Sequence, residues 1–338
     1  MHGVNRVLVP VALRAPPEPP PAGARLQRWG GPAMGTSWSV AALLPPGADA
    51  GAIGAGIRAV LERVIAQMSN WEADSDLSRF NRAPPGSWQA LPADCFAVLQ
   101  AALQVARDSG GAYDPSAGPL VDLWGFGPAR ARRAPPSPDD VQAARARCGW
   151  ARIDIDAARG RAWQPGGVAL DFCAIAKGFA VDAVAHCLCE QGLEHHLTEI
   201  GGELRGHGVK PDGMPWWVAL EAPPGPGSDD AQQTLVALHG LSVATSGDYR
   251  RYFDSQGRRY AHTIDPRTGY PASHALASVT VIHPQCMLAD ALSTALTVLG
   301  PDAGMAHAHR HGIAARFLVR TADGFLEHHS PAFAAMLA

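Results

Sequence analysis

The chain has 338 residues, of which 47% are hydrophobic and 17% are charged, and its formal net charge is −3. This composition predicts a folded globular protein, and the near-neutral charge excludes nucleic-acid binding through a basic field. No stretch approaches the roughly 18 consecutive apolar residues that a membrane-spanning helix needs, so we expect no integral membrane span.

The first 28 residues are rich in proline, with a run from Pro16 to Pro21 that only Glu18 interrupts. This composition predicts a flexible tail over residues 1–28, stiffened by proline. The apolar run Val7–Leu13 contains a proline and only reaches the lower limit of about 7 residues for a secretory signal core. The folded part is therefore expected over residues 29–338.

The six cysteines form no CxxC pair, and Cys187 and Cys189 would face different directions on a predicted helix. Free thiols are expected, which favours a reducing compartment. Because there is also no clear signal and no cysteine placed to carry a lipid, the residues by themselves predict a cytoplasmic protein.

Strand and helix signals alternate irregularly in the first third of the chain. A strand is predicted over Gly35–Leu44, and apolar residues at three- and four-residue spacing predict a helix from Ile53 to Met68. A long polar loop is expected from there to Asn81, followed by a helix over Leu91–Asp108. Loops of this length and chemical variety are common places for binding residues.

The middle and end of the chain carry more strand signals. Ser137 as a cap with Pro138 at the first position predicts a helix start. Strands are predicted over Arg152–Asp156, Val168–Phe172, Trp216–Glu221, Thr234–His239, Ala315–Arg320 and Phe325–His328. Because strands and helices are mixed without strict alternation, we predict an α+β fold with largely antiparallel sheets and packed helices.

The stretch from Cys173 to about Gly192 is predicted to be a helix that follows the strand ending at Phe172. Lys177 lies in its first turns, where a cation opposes the helix dipole. A strand-to-helix junction offers free amide groups to phosphate, so an anionic ligand would remove the conflict.

A helix is also predicted to begin near Leu288, after the strand Ser278–Ile282. Asp290 and Thr294 would lie one turn apart on the same face of this helix. A carboxylate and a hydroxyl side by side suit a hard cation such as Mg²⁺. On this stretch alone the favoured alternative is that Asp290 complements the helix dipole and Thr294 bonds to its own backbone.

Eight short motifs occur in one order along the chain. They are Met34-Gly35-Thr36; Met68-Ser69 with Ser78-Arg79-Phe80-Asn81; Asp114 with Gly118-Pro119-Leu120 and Leu123-Trp124-Gly125-Phe126-Gly127; Leu170-Asp171 with Ala176-Lys177-Gly178; Ile200-Gly201-Gly202; Ala244-Thr245-Ser246-Gly247-Asp248-Tyr249; His262 with Ile264-Asp265-Pro266 and Thr268-Gly269; and Ala289-Asp290-Ala291 with Thr294. Together they resemble the ApbE family of FAD:protein FMN transferases over about residues 30–320. The resemblance implies an ApbE-like fold, either as one domain over residues 29–338 or as two subdomains with the FAD site between them.

The resemblance also implies an activity. It is the Mg²⁺-dependent transfer of FMN from FAD to a Ser or Thr hydroxyl in a flavinylation segment of an acceptor flavoprotein, with release of AMP. Attack on a pyrophosphate needs its charge neutralised and the hydroxyl held in line. Two alternatives stay open: an FAD pyrophosphatase that produces FMN and AMP, and an FAD-binding protein without catalysis. Family resemblance further implies a periplasmic location, in contrast to the cytoplasmic prediction.

The implied site residues follow position by position from the motifs. Asp290, Thr294 and the backbone carbonyl of Ala174 are the implied Mg²⁺ ligands. His262 is the implied base that deprotonates the target hydroxyl, because an unshifted imidazole pKa suits proton removal near neutrality. The implied FAD contacts are Met34, Trp71, Ala112, Tyr113, Asp114, Asp171, Lys177 and the backbone near Thr263.

Four positions depart from the usual pattern of the family. Trp71 stands where Tyr is frequent, and Glu199 and Glu203 stand where Asn and Asp are more usual. Ser293 stands where some members have a second Asp, and the loss of that carboxylate is expected to weaken metal binding.

Overall fold

A computed structural model of the chain describes residues 6–11, 17–128, 131–224 and 233–337. Across these residues the helices are α1 (Ala50–Met68), α2 (Asp76–Asn81), α3 (Ala93–Asp108), α4 (Gly118–Leu123), α5 (Pro138–Arg145), α6 (Ala176–Glu190), α7 (Cys286–Arg310) and α8 (Pro331–Ala334), with a 3₁₀ turn at Trp150–Arg152. The strands are β1 (Arg6–Leu8), β2 (Arg25–Ala33), β3 (Thr36–Leu44), β4 (Ser87–Ala90), β5 (Ile155–Asp156), β6 (Arg161–Gln164), β7 (His196–Ile200), β8 (Glu203–His207), β9 (Trp216–Ala219), β10 (Thr234–Leu238), β11 (Leu241–Gly247), β12 (Tyr252–Ser255), β13 (Arg258–Ala261), β14 (Ile264–Asp265), β15 (Tyr270–Pro271), β16 (Leu276–His283), β17 (Ala314–Thr321) and β18 (Gly324–His329).

An eight-stranded antiparallel sheet organises the fold, in the order β18-β17-β16-β11-β8-β7-β3-β2. Helix α6 packs on β7 and β8, α7 packs on β11 and β16, and the two helices pack on each other. The α+β prediction with largely antiparallel sheets is therefore confirmed. Whether residues 29–338 behave as one domain or as two subdomains stays a prediction.

The predicted amphipathic helices bury the residues that their spacing singled out. In α1, Ile57 and Val64 are fully buried, and in α3, Leu99 is fully buried. These side chains join the main core together with Val40 of β3 and Val181 of α6. Apolar residues three and four positions apart form one stripe on a helix, and that stripe packs on the helix α6 and the sheet beneath it.

The prediction of a flexible tail over residues 1–28 is wrong for part of that range. Arg6–Leu8 forms a strand that pairs in parallel with β10, and Leu8 is fully buried. Strand β2 begins at Arg25 and pairs with β3 along its whole length. The alternation rule missed β2 because it is an edge strand whose side chains are mostly exposed or half-buried, so no apolar face appears in its sequence.

Two local predictions also differ from the structure. The expected loop before Asn81 contains α2, which Ser75 caps by accepting a hydrogen bond from the amide of Ser78. The strand predicted over Val168–Phe172 is reduced to an isolated bridge, and the Leu170 amide donates to the Asn81 side chain. The segment is therefore held by a side chain and not by a ladder of backbone bonds.

Among the described residues, no helix combines the length and the hydropathy required to cross a bilayer. The six cysteines are all unpaired, as predicted.

Candidate active site

The first turns of α6 and α7 meet at Gly178. A Cβ atom at this position would lie 2.3 Å from the carbonyl oxygen of Cys286 and 2.8 Å from the Cα atom of Met287. Only glycine therefore lets the two helix starts approach so closely. The amide of Gly178 donates to Oδ2 of Asp290 over 3.1 Å, which places a carboxylate at the positive end of α6.

Lys177 lies between two buried carboxylates at this junction. Its Nζ atom is 2.8 Å from Oε1 of Glu203 and 3.7 Å from Oδ2 of Asp290. The position of Lys177 in the first turn of α6 is confirmed, and an anionic ligand beside it stays a prediction. The chain itself supplies the opposite charge through Glu203 and Asp290.

Burial and the mutual charges both shift the pKa values of this group. Burial opposes the charge on Lys177, but Asp290 and Glu203 outweigh it and raise the pKa of the ammonium group. Burial raises the pKa of Glu203 to about 7, although Lys177 acts against it, and burial likewise raises the pKa of Asp290. Two carboxylates share one ammonium group, so a further cation beside them would be stabilised.

Three hydroxyl groups lie next to Asp290. Ser246 Oγ of β11 is 2.7 Å from Ser293 Oγ and 3.0 Å from Thr294 Oγ1, and Ser293 donates to the backbone carbonyl of Asp290. Asp290 and Thr294 are both in α7, one turn apart as predicted. Ala174 lies in the turn that leads into α6. Carboxylate, hydroxyl and carbonyl oxygens are hard donors of the kind that suit Mg²⁺.

The loop after α3 brings Tyr113 to the same group. Tyr113 is 3% exposed, and burial together with the charges of Asp290, Asp171 and Asp114 raises the pKa of its hydroxyl well above the ordinary value. Asp171 accepts a hydrogen bond from the amide of Cys173 through one oxygen. Tyr113, Asp171 and Asp290 therefore belong to one site, although they come from three distant parts of the chain.

Asp114 has a different position from the other acidic groups. One of its oxygens accepts from the amide and hydroxyl of Ser116, and the other accepts from the amide of Trp150. Burial raises the pKa of Asp114, and these hydrogen bonds act against that rise. Both oxygens are engaged within the protein, so Asp114 holds the loop that carries Tyr113.

Several buried polar atoms around the site lack a partner. Within the described part of the chain, Oη of Tyr113, Oδ2 of Asp171 and Oε2 of Glu203 are buried without a hydrogen bond. Buried polar groups in proteins are normally paired, and each exception calls for an explanation. A ligand with several polar groups, bound together with a cation, would pair these atoms, so the residues fit both a flavin dinucleotide and Mg²⁺.

His262 lies at the end of β13, next to the same group. Its Nδ1 atom is 3.2 Å from the carbonyl oxygen of Arg251, and its ring meets Phe126 edge to face. A carbonyl oxygen can only accept, so Nδ1 carries the proton and Nε2 keeps its lone pair. Burial, with Arg251 and Lys177, lowers the pKa of His262 to about 4. The expectation of an unshifted pKa was wrong, because the ring is desolvated between positive charges.

The remaining predicted residues have varied positions. Met34 is half-buried and has a positive φ of 52° in the turn between β2 and β3. Ala112 is buried beside Tyr113, and the buried Thr263 accepts through its carbonyl oxygen from the amide of Ala272. Trp71 is 53% exposed on the loop after α1, and its contact with FAD stays a prediction.

Two residues in the site had no role in the sequence-based prediction. Glu203 was noted only as a departure from a pattern, yet it is the nearest partner of Lys177. Ser246 belongs to the motif Ala244–Tyr249, and its hydroxyl group lies within hydrogen-bond distance of the hydroxyls of Ser293 and Thr294. The sequence feature that could have identified Glu203 as a site residue is its position directly after the Gly201-Gly202 turn.

A separate cavity of about 700 Å³ lies against the other side of α7. It is lined by residues such as Met287, Leu288 and His307, and contains none of the predicted site residues. Its walls are mainly apolar, whereas the junction around Lys177 concentrates the charged groups.

The chain is similar to several known proteins. A model of the ApbE family matches residues 34–317. The chain is 40% identical to an FAD:protein FMN transferase of Vibrio cholerae, over 90% of each chain, and 40% identical to one of Haemophilus influenzae, over 82% and 81% of the two chains. Among solved structures, the flavinyl transferase ApbE of Pseudomonas stutzeri has a TM-score of 0.85 and 42% identity, covering 93% of this chain and 97% of that one. The flavin transferase ApbE of Vibrio cholerae has a TM-score of 0.86 and 38% identity, covering 93% and 100%.

Proposed function

The chain belongs to the ApbE family and transfers the FMN part of FAD to an acceptor protein, and we propose that it does so at the junction of α6 and α7 with the help of Mg²⁺. The observation that carries this proposal is the ion-pair group of Lys177, Glu203 and Asp290 beside unpaired buried polar atoms. An ammonium group beside hard oxygen donors suits a pyrophosphate bound with a divalent cation.

Asp290, Thr294 and the carbonyl of Ala174 would hold the metal, and bound Mg²⁺ neutralises charge on phosphate oxygens. The ammonium group of Lys177 would contact the pyrophosphate while Glu203 keeps it in place. The unpaired Tyr113 hydroxyl and Asp171 oxygen would bond to polar groups of FAD. These contacts hold the reacting phosphorus before the acceptor arrives.

His262 is the proposed base. Nε2 of the neutral ring takes the proton of a Ser or Thr hydroxyl in the acceptor segment. The hydroxyl oxygen then forms a bond to the phosphorus on the FMN side, and the bond from that phosphorus to the bridging oxygen breaks. AMP leaves with the electron pair, and the acceptor keeps FMN as a phosphodiester. Atoms and charge balance without a further reactant.

Incubation with FAD, Mg²⁺ and a purified acceptor flavoprotein tests this proposal. AMP release together with a covalently fluorescent acceptor is the expected result. AMP without a labelled acceptor would instead favour the pyrophosphatase, and neither product would favour a protein that only binds FAD. An acceptor in which the candidate Ser and Thr residues are replaced by Ala is the matched control, and it should stay unlabelled.

The compartment stays a prediction. The six unpaired cysteines agree with the cytoplasmic proposal, whereas the family resemblance favours the periplasm.

A further inference from the structure

A second cluster of chemically reactive side chains lies at the opposite end of α6 from Lys177. It consists of Cys189 in the last turn of α6, His196 in β7 and His207 in β8. One ligand atom from each residue lies within 4.8 Å of the other two. With a rise of about 1.5 Å per residue, the helix separates Cys189 from Lys177 by about 18 Å, so the cluster is distinct from the flavin site.

Strand register brings the two histidines together. His196 and His207 are directly opposite each other in the β7–β8 pair, and their rings stack with centroids 5.8 Å apart. The short connection after α6 returns the chain to β7, so the Cys189 sulfur lies 3.5 Å from Nε2 of His196. Strand register and the short connection therefore bring Cys189, His196 and His207 together.

The two ring nitrogens of His196 have few hydrogen-bond partners. Its side chain is fully buried, and among the described residues Nδ1 has no hydrogen-bond partner. The contact of Nε2 is with the thiol of Cys189, which is a weak donor and a weak acceptor. A buried imidazole with so weak a partner at Nε2 calls for an explanation. A metal ion on Nε2 would supply one for that atom, although it would leave Nδ1 without a partner.

His207 is held in the tautomer that a metal ligand at Nε2 would need. Its Nδ1 atom lies 2.6 Å from the carbonyl oxygen of Glu194, so Nδ1 carries the proton and Nε2 keeps its lone pair. A backbone carbonyl in this role is the usual support for a ligating histidine. The His207 side chain is 35% exposed and that of Glu194 is 51% exposed, which leaves an entry path from solvent.

We propose that Cys189, His196 and His207 bind a Zn²⁺ ion. Tetrahedral zinc, with bonds of about 2.3 Å to sulfur and about 2.0 Å to nitrogen, holds those two atoms about 3.5 Å apart. That is the observed separation of Cys189 Sγ and His196 Nε2. One thiolate and two imidazoles form a donor set typical of zinc, and the fourth position is open to water or to the carboxylate of Glu194.

The ion would connect the last turn of α6 to the β7–β8 hairpin. The other end of the same helix carries Lys177, and the same hairpin begins β8 with Glu203. Zinc at the cluster would therefore brace the two elements that form the Lys177–Glu203 ion pair. Binding replaces the thiol proton of Cys189 with a Zn–S bond and releases that proton to solvent.

Cobalt(II) is the spectroscopic probe for this site. The full-length protein is stripped of metal with a chelator and titrated with Co²⁺, and thiolate ligation is followed through its sulfur-to-cobalt charge-transfer band. We expect one band that saturates at one equivalent and is displaced by Zn²⁺. In parallel, Zn²⁺ should raise the melting temperature of the stripped protein, because it binds the folded state.

Two other cysteines provide matched controls. Cys187 is on the same helix turn but bonds to Gln191, and Cys173 lies beside the flavin site next to Asp171. Cys189→Ser should abolish the band and the zinc-dependent rise in melting temperature, whereas Cys187→Ser and Cys173→Ser should keep both. His207→Gln, at a half-exposed position, should weaken cobalt binding at least tenfold even if Cys189→Ser folds poorly. The absence of a band in the unaltered protein, a band that survives Cys189→Ser, or a band that depends on Cys173 or Cys187 would overturn the proposal.

Discussion

Lys177 and Glu203 form a buried ion pair of 2.8 Å that joins the first turn of α6 to the first residue of β8. Asp290 of α7 is the second partner of the same ammonium group, at 3.7 Å. One cation thus connects two helix starts and a strand. If a divalent ion binds Asp290 as proposed, Glu203 would still hold Lys177 in place, and each carboxylate would then serve a different cation.

The pH dependence of stability should report on Glu203. Its pKa is raised by burial from 4.5 to about 7. Between these values the folded state binds more protons than the unfolded state, so this contribution to stability is full below about pH 4.5 and is lost as the pH rises to 7. Relative to Glu203→Gln, the unaltered protein should lose on the order of 3 kcal/mol of unfolding free energy over this window. Urea denaturation without metal at about pH 5 and about pH 8 measures it.

Glu199→Gln is the control for that experiment, because Glu199 is on the same hairpin and only half-buried. It accepts a hydrogen bond from the amide of Gly202, which a glutamine oxygen can also do. This variant should follow the pH dependence of the unaltered protein. If Glu203→Gln keeps the same fall in stability, Glu203 is not the titrating group.

Asp290→Asn should separate turnover from binding. The amide oxygen can still accept from Gly178, but the negative charge that would hold Mg²⁺ is gone. We expect the rate of FMN transfer to fall at least about 100-fold, with FAD affinity changed less than about tenfold. AMP release and FAD fluorescence titration provide the two measurements. Asp302→Asn, on an exposed part of the same helix, should behave like the unaltered protein, and an active Asp290→Asn variant would remove the metal assignment.

His262→Ala should slow transfer by about 10² to 10⁴ and leave FAD affinity within a few-fold. The pKa of His262 is lowered to about 4 by burial, so the ring is the neutral base above that pH. The single-turnover rate of the unaltered protein should therefore show no loss from this group between about pH 5 and about pH 8, and should fall below about pH 4. Parallel losses of rate and affinity would make His262 a binding residue. His328→Ala, on the exposed edge strand β18, is the control.

Gly178→Ala should force α6 and α7 apart. The new methyl group would lie 2.3 Å from a backbone oxygen of Cys286, which cannot move independently of its helix. We expect a loss of about 1–3 kcal/mol in unfolding free energy, together with reduced turnover, because the Asp290 contact is broken. Gly56→Ala in the middle of α1 meets nothing closer than 3.5 Å and should be neutral or stabilising by up to about 1 kcal/mol. Equal stability of the two variants would contradict the close contact.

The spacing of apolar residues in the sequence was sufficient to predict the helices and strands that have a clear apolar face. The helix α1 follows from three- and four-residue periodicity, and the strands predicted over Ala315–Arg320 and Phe325–His328 correspond to β17 and β18. The same reasoning failed for β2, whose half-exposed side chains carry no such face. Residue spacing also predicted too long a strand over Val168–Phe172, because the Asn81 side chain takes the backbone hydrogen bonds of Leu170 that a strand ladder would use.

The sequence by itself determined the family, the order of most elements and the candidate residues, because short motifs and periodicities are local properties of a chain. Only the tertiary structure decided that Glu203 is the partner of Lys177, that burial lowers the pKa of His262, and that Cys189 meets two histidines. Asp290 and Gly178 are 112 residues apart in the chain, yet they share a hydrogen bond. Such contacts depend on strand register and on the close packing of two helices, and the charge state of each group depends on the burial that this packing creates.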